Sequence, residues 1–253
     1  MIQTLLETTN FNLIETYPLS IQKLINRLQQ TTAFTPAQVK DFVLEASISE
    51  QDLMPWADFQ HPITDSYGRK LVLDGGHFEI MVMSWLPGDF STIHDHGATQ
   101  WGAVQCFGAA EHYIYSFTKE VLKPLKPAHY LPGMVYAVDH NLIHQMGNPG
   151  DKPFLSLHVY GCKEFEESIT GNARIFDLLE NSIQYTDGGV FFCLPETKIN
   201  YRSQGLAANR ETTLKQHYLM SDRIRRILKI QKNADLEQKL ICLQEKIQQL
   251  SST

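Results

Sequence analysis

The chain has 253 residues, enough for one barrel-sized domain with additions and marginal for two. Its formal net charge is -6, charged residues make up 20%, and no block of Lys and Arg stands out, which argues against a nucleic-acid partner and against long disordered stretches. Apolar residues, at 43%, suffice for a sizeable core, while no run approaches the ~18 apolar residues of a membrane span.

The first residues, Met1-Ile-Gln-Thr-Leu-Leu-Glu, have neither a cationic start nor an apolar core, so no secretory signal is expected. Cys106, Cys162, Cys193 and Cys242 form no CxxC pair and read as reduced thiols of a cytoplasmic protein. Residues 1–66 are expected to be a helical segment packed on the domain that follows. Ile21, Leu24, Ile25 and Leu28 fall on one helical face, and Thr35-Pro36 reads as an N-cap and first-turn pair. Val39, Phe42, Val43 and Ala46 form the next stripe.

Residues 67–200 change character. Runs such as Phe78 to Trp85, His112 to Phe117 and Phe154 to Tyr160 are separated by Gly75-Gly76, Pro87-Gly88, Pro132-Gly133 and Pro149-Gly150. Short strands broken this often predict a mainly β domain, an antiparallel sandwich or barrel. Phe78 to Trp85 is apolar at nearly every residue, so both its faces should be covered. Residues 201–253 are expected to return to helix. There Leu236, Leu240, Leu243, Ile247 and Leu250 repeat at 4,3,4,3 spacing, and Asp235 with Gln238 resembles a capping box. That stripe either docks on its own barrel or makes a homodimer contact.

The chemistry concentrates in Gly88-Asp-Phe-Ser-Thr-Ile-His94-Asp-His96. Residues i and i+2 on a strand point to one face, so these two imidazoles can converge. Gly88 opens a G(x)5HxH string, six residues separate Trp101 from Gly108, and Pro132-Gly133 precedes His144-Gln-Met-Gly-Asn148. These strings resemble the two motifs of the cupin family. The resemblance implies a double-stranded β-helix, a jelly-roll barrel, with His94, His96 and His144 as metal ligands. Many cupins place a glutamate ligand where this chain has Trp101. Indole binds no metal ion, so the set becomes three neutral imidazoles with open positions for substrate and dioxygen. Imidazole also suits Zn, Cu and Ni, so ligand type alone does not name the metal.

Two further strings narrow the resemblance. Tyr67-Gly-Arg69-Lys-Leu-Val precedes the motifs and Ser156-Leu-His158-Val-Tyr160 follows them. Together with the histidines they resemble cysteine dioxygenase, the three-histidine thiol dioxygenase branch. That resemblance implies Fe(II), a small thiol and O2 as reactants, and cysteine sulfinate as product. It makes Arg69 the clamp for a substrate carboxylate, Tyr67 a pocket neighbour, and Ser156, His158 and Tyr160 a catalytic hydrogen-bonded chain. Strand alternation puts Ser156, His158 and Tyr160 on one face and Leu157 and Val159 on the other. Other readings are a dioxygenase for a different thiol such as 3-mercaptopropionate, a metal-binding cupin without turnover, and a zinc hydrolase or isomerase.

Trp101 departs from the family's pattern. Animal members carry a cysteine there, linked to the tyrosine, and many bacterial members carry glycine. Tyr160 is therefore expected to be unmodified, and Trp101, if it points inward, to line the substrate pocket beside it.

Overall fold

The computed structural model describes residues 14–125, 127–164, 168–187 and 189–252. Helix α1 (Leu19–Leu28) turns Ile21, Leu24, Ile25 and Leu28 inward, all fully buried. Helix α2 (Pro36–Ala46) opens on a reciprocal cap. The Thr35 hydroxyl accepts from the Gln38 amide at 3.3 Å, and the Gln38 side-chain carbonyl accepts from the Thr35 amide at 2.9 Å. Val39, Val43 and Ala46 are buried, while Phe42 is half-buried and meets Phe34 edge-on. One short turn, α3 (Glu50–Leu53), follows.

Thirteen strands come next among the described residues: β1 (Gly68–Asp74), β2 (Phe78–Trp85), β3 (Trp101–Cys106), β4 (Ala110–Thr118), β5 (Val121–Pro124), β6 (Ala128–Tyr130), β7 (Val135–Asp139), β8 (Ile143–Gly147), β9 (Phe154–Gly161), β10 (Ala173–Asp177), β11 (Ser182–Thr186), β12 (Tyr201–Gln204) and β13 (Ala207–Ala208). One sheet runs β1-β2-β9-β3-β7, all antiparallel. A second runs β13-β5-β4-β6, with β8 also paired to β4. Facing each other, the two make a jelly-roll barrel.

The central strands of the first sheet are buried on both sides, which is why β2 is apolar at nearly every residue. Outward, Ile80 and Val82 of β2 and Leu157 and Val159 of β9 join the faces of α1 and α2 in one apolar cluster. Inward, Met81, Met83, Trp85 and Tyr160 belong to a second cluster that fills the barrel.

The segment carrying the HxH string is not a regular strand. It is held in place by neighbours on both sides. The His94 and His144 backbones exchange two 2.9 Å bonds, and Ile93 and Asp95 bond to Phe176 and Arg174 of β10. Strand β10 belongs to a third sheet, β10-β11-β12.

Past residue 200 the chain differs from the expected helix. Tyr201–Gln204 adds to the open edge of β11, and Ala207–Ala208 pairs in parallel with β5. Unpaired strand edges thus claim these residues first, and helix α4 (Arg210–Leu228) starts only afterwards. Helix α5 (Ala234–Ser251) is capped by Asn233, whose side chain accepts from the Leu236 amide at 3.1 Å. The expected capping box at Asp235 is therefore corrected: Asn233 is the last non-helical residue, so its side chain is the one within reach of the free amide. Leu243 is fully buried with Met220 and Ile224 of α4, and Leu236 and Leu240 pack beside them.

Helix α4 also ties the molecule together. Buried Arg223 donates to Asp89 at 3.3 Å and to the Ile63 carbonyl, and the other Asp89 oxygen meets His61 Nε2 at 3.2 Å. Among the described residues no helix is long and apolar enough to cross a membrane.

Candidate metal centre

Inside the barrel the nitrogens of His94, His96 and His144 all lie within 4.8 Å of one another, and all three residues are buried. Two of the rings are aimed by their own hydrogen bonds. His94 Nδ1 donates to the Thr92 carbonyl at 2.9 Å, which leaves Nε2 as its free lone pair. His144 Nδ1 meets His112 Nε2 at 2.8 Å, and His144 Nε2 then faces His96 Nε2 at 3.1 Å. Two ring nitrogens that close repel unless a proton or a cation lies between them.

Burial disfavours protonation of every ring. It pushes His94 down to about 4 and His96 and His144 well below the ordinary histidine value, and neighbouring histidines push His96 and His144 further. Neutral rings with converging lone pairs are what a divalent ion requires, so the donor set fits a metal. No carboxylate belongs to the cluster among the described residues.

Beside the triad, β9 carries Ser156, His158 and Tyr160 on its inner face in a connected chain. Trp85 Nε1 donates to Ser156 Oγ at 2.8 Å, Ser156 Oγ meets His158 Nε2 at 2.8 Å, and His158 Nδ1 meets the Tyr160 hydroxyl at 2.8 Å. The direction of this chain follows from counting donors. Indole can only donate, and among the described residues His158 Nε2 is the one acceptor that meets Ser156 Oγ, so the Ser156 proton goes on to it. His158, pushed down to about 3 by burial with His94 and Arg69 nearby, is neutral and donates from Nδ1. The Tyr160 oxygen accepts that bond, and its own proton is free for the pocket. Burial raises Tyr160 well above the ordinary tyrosine range, so the hydroxyl keeps its proton.

Tyr67 and Arg69 complete the wall. They line one cavity with Met81, Met83, His94, His96 and Tyr160. Tyr67 is buried, its pKa raised to about 12 by burial, and it stacks on Trp85 at 4.6 Å between ring centres. Arg69 makes no ion pair with a protein carboxylate among the described residues. Glu79 sits opposite Tyr160 in the β2–β9 register and feels the Arg69 charge; burial nevertheless raises its carboxyl pKa.

Trp101 is elsewhere, which corrects the expectation that it lines the pocket. It is fully buried on the outer face of β3, meeting Phe34 edge-on at 5.2 Å and donating from Nε1 to the Thr32 carbonyl at 3.1 Å. Strand register explains this. Trp101 is opposite Gly161, and a Cβ on Gly161 would lie 2.1 Å from the indole, so glycine there makes the room. The residue opposite Tyr160 is Gly102. A Cβ there would press on the Val159 carbonyl at 2.2 Å and sit 3.3 Å from the Tyr160 ring.

Sequence reading also missed Trp85, His112 and the pairing of Asp95 with Arg174. Asp95, between the two motif histidines, accepts from the Arg174 backbone at 2.7 Å and from its guanidinium at 2.5 Å. For Trp85 a signal exists: it lies at i+4 from Met81 on the inner face of β2. For His112 none does, because its contact with His144 spans two strands.

An uncharacterized conserved protein with a double-stranded β-helix domain from Klebsiella pneumoniae is 16% identical; the match covers 45% of this chain and 90% of that one, with a TM-score of 0.36. A protein from Thermus thermophilus is 17% identical over 44% of this chain and 93% of its own, with a TM-score of 0.36. A cupin domain from Bordetella pertussis is 13% identical over 38% and 94%, with a TM-score of 0.31. The sequence model of the family described as cysteine dioxygenase type I matches residues 15–167, more than half of this chain, a stretch that includes the whole triad, Arg69 and the Ser156–His158–Tyr160 chain. The chain therefore belongs to the cysteine dioxygenase type I family.

Proposed function

We propose that the protein is an iron-dependent thiol dioxygenase that converts L-cysteine and O2 to cysteine sulfinate, both oxygen atoms going to sulfur. The observation that carries this reading is Arg69: a guanidinium lining the cavity of the histidine triad with no protein carboxylate paired to it among the described residues. Its planar fork suits a substrate carboxylate through two parallel bonds. His94, His96 and His144 would hold Fe(II), which when bound activates the thiol and dioxygen.

The chain's own residues supply orientation and proton control. Arg69 anchors the substrate at its carboxylate end, so that the thiol faces the triad. Tyr160, fixed by the bonds from Trp85 through Ser156 and His158, offers one hydroxyl proton to the reacting oxygen atoms. The buried walls exclude bulk water. In this reading the partners are a small thiol and O2, in the cytoplasm. Leu236, Leu240 and Leu243 of the α5 stripe pack with Met220 and Ile224 of α4, which favours a helix docked on its own chain over a dimer contact.

Oxygen uptake by iron-loaded, reduced protein, with sulfinate measured in parallel, tests the reading. One sulfinate per O2 with cysteine is the expected result. Turnover of 3-mercaptopropionate but not cysteine moves the assignment to that thiol, and no uptake with either removes the enzymatic reading. Metal analysis of protein purified without added metal tests iron against zinc.

A further inference from the structure

The pocket beside the triad is only partly built from the segment that the family model matches. Tyr67, Arg69, Met81, Met83 and Tyr160 come from that segment, which ends at residue 167. Beyond that segment the lining is completed by Thr170, Ala173 and Val190. All three are buried, and Ala173 and Val190 belong to the same inner cluster as Met81, Met83 and Tyr160.

This wall is registered to both ends of the site. The Val190 carbonyl accepts from the amide of Thr92 at 3.1 Å and from its hydroxyl at 2.9 Å, two residues before His94. The Val190 backbone also acts on the Tyr67 hydroxyl, two residues before Arg69. Phe191 braces the Tyr67 ring edge-on at 5.0 Å. Ala173 precedes Arg174, whose backbone and guanidinium both bond to Asp95 between the two motif histidines. A side chain on this wall therefore keeps its distance from the metal ligands and from the guanidinium together. The free space among these residues is only about 20 Å³, so a thiol bound here presses directly on Val190 and Ala173, and one added methylene is felt.

We infer that Val190, with Ala173 beside it, sets the upper size of the substrate, admitting a three-carbon carboxylate thiol and rejecting its four-carbon homologue. The inference rests on the thiol dioxygenase reading for its ligand class. Val190 is a specificity residue and takes no part in the chemistry. Trimming Val190 to Ala opens room for one methylene, and enlarging it or Ala173 closes room already in use.

The test compares cysteine with homocysteine in iron-loaded wild type, Val190→Ala, Val190→Leu and Ala173→Val, after metal content and melting temperature have been matched. kcat/KM is measured in air, and equilibrium dialysis of each thiol is run without oxygen. Val190→Ala is expected to raise the homocysteine-to-cysteine ratio by about tenfold or more, the scale of one methylene in a fitted pocket. Val190→Leu and Ala173→Val are expected to weaken cysteine through KM, with kcat little changed. Ratios within twofold of wild type in every folded variant, by turnover and by dialysis, would overturn the inference. If the wild type oxidises neither thiol, the functional reading fails, and the dialysis ratios alone still decide whether Val190 limits the pocket.

Discussion

Strand β9 is buried at all eight positions, so exposure does not tell its two faces apart. Chemistry does. Outward, Leu155, Leu157 and Val159 sit among the apolar faces of α1 and α2. Inward, Ser156, His158 and Tyr160 form a single hydrogen-bonded chain beside the histidine triad. The outer face stabilises through non-directional burial, about 1.5–3 kcal/mol for a side chain of this size. The inner face holds polar groups whose cost is met only by partners in fixed positions. One strand thus divides the work: one side holds the barrel together and the other carries the polar chain beside the triad.

His144→Ala and Leu157→Ala separate those two contributions most sharply. Losing one of three metal ligands should weaken metal binding by more than about hundredfold, since even a partner that merely orients a ligand is worth ten- to hundredfold. Leu157→Ala should cost about 2–5 kcal/mol of stability and leave metal affinity within twofold. Metal titration and denaturant unfolding of both variants measure the split. Equal loss of metal affinity in both would erase the distinction between faces.

Acid should attack the inner face selectively. His94, His112 and His158 are held below the ordinary histidine value, to about 4, 4 and 3, by burial first. The unfolded chain takes up protons as pH drops below about 6.5, while the folded rings stay neutral until their own lower values. Stability of the metal-free protein is therefore full above about 6.5 and lost as pH falls through the window from there to about 4–3, at about 1.4 kcal/mol per pH unit for each ring. Melting curves from pH 7.5 to 4 check this. Bound metal should protect, because it competes with protons for His94 and for its neighbours His96 and His144. A flat profile would mean that the rings are solvated.

Tyr160→Phe keeps the ring and removes the one hydroxyl proton offered to the site. Turnover should fall about hundredfold, the usual scale for a single positioned donor, with substrate affinity and metal content close to wild type. The His158 Nδ1 proton loses its acceptor, so a stability loss of about 1–3 kcal/mol accompanies it. A change in KM alone would make Tyr160 a wall of the pocket.

The jelly-roll, the triad and the Ser156–His158–Tyr160 face were legible because their signals are local: strand alternation, a two-residue spacing and fixed motif strings. What stayed illegible depends on register between strands distant in the chain. His112 reaches His144 only because β4 pairs with β8, and Asp95 finds Arg174 across 79 residues. The strands at 201–208 form because β11 and β5 offer them open edges, a tertiary condition that no local pattern records. Trp101 was misplaced for the same reason. Motif spacing put it where many cupins have an inward glutamate, whereas pairing with Gly161 sends it out toward Phe34.

Trp101→Phe tests that last placement, and its effect on catalysis should be the smallest of the set. The Thr32 carbonyl loses its donor and the outer cluster loses part of an indole, so stability should drop by about 1–3 kcal/mol. Turnover and KM for the thiol should stay within twofold, because Gly102, and not the indole, faces Tyr160. Gly102→Ala makes the converse change: a methyl against the Val159 carbonyl and near the Tyr160 ring disturbs the inner face while leaving the helix contact untouched. If Trp101→Phe shifts KM and Gly102→Ala does not, then β3 presents the opposite face to the barrel, and the division of labour drawn from β9 cannot extend to its neighbour.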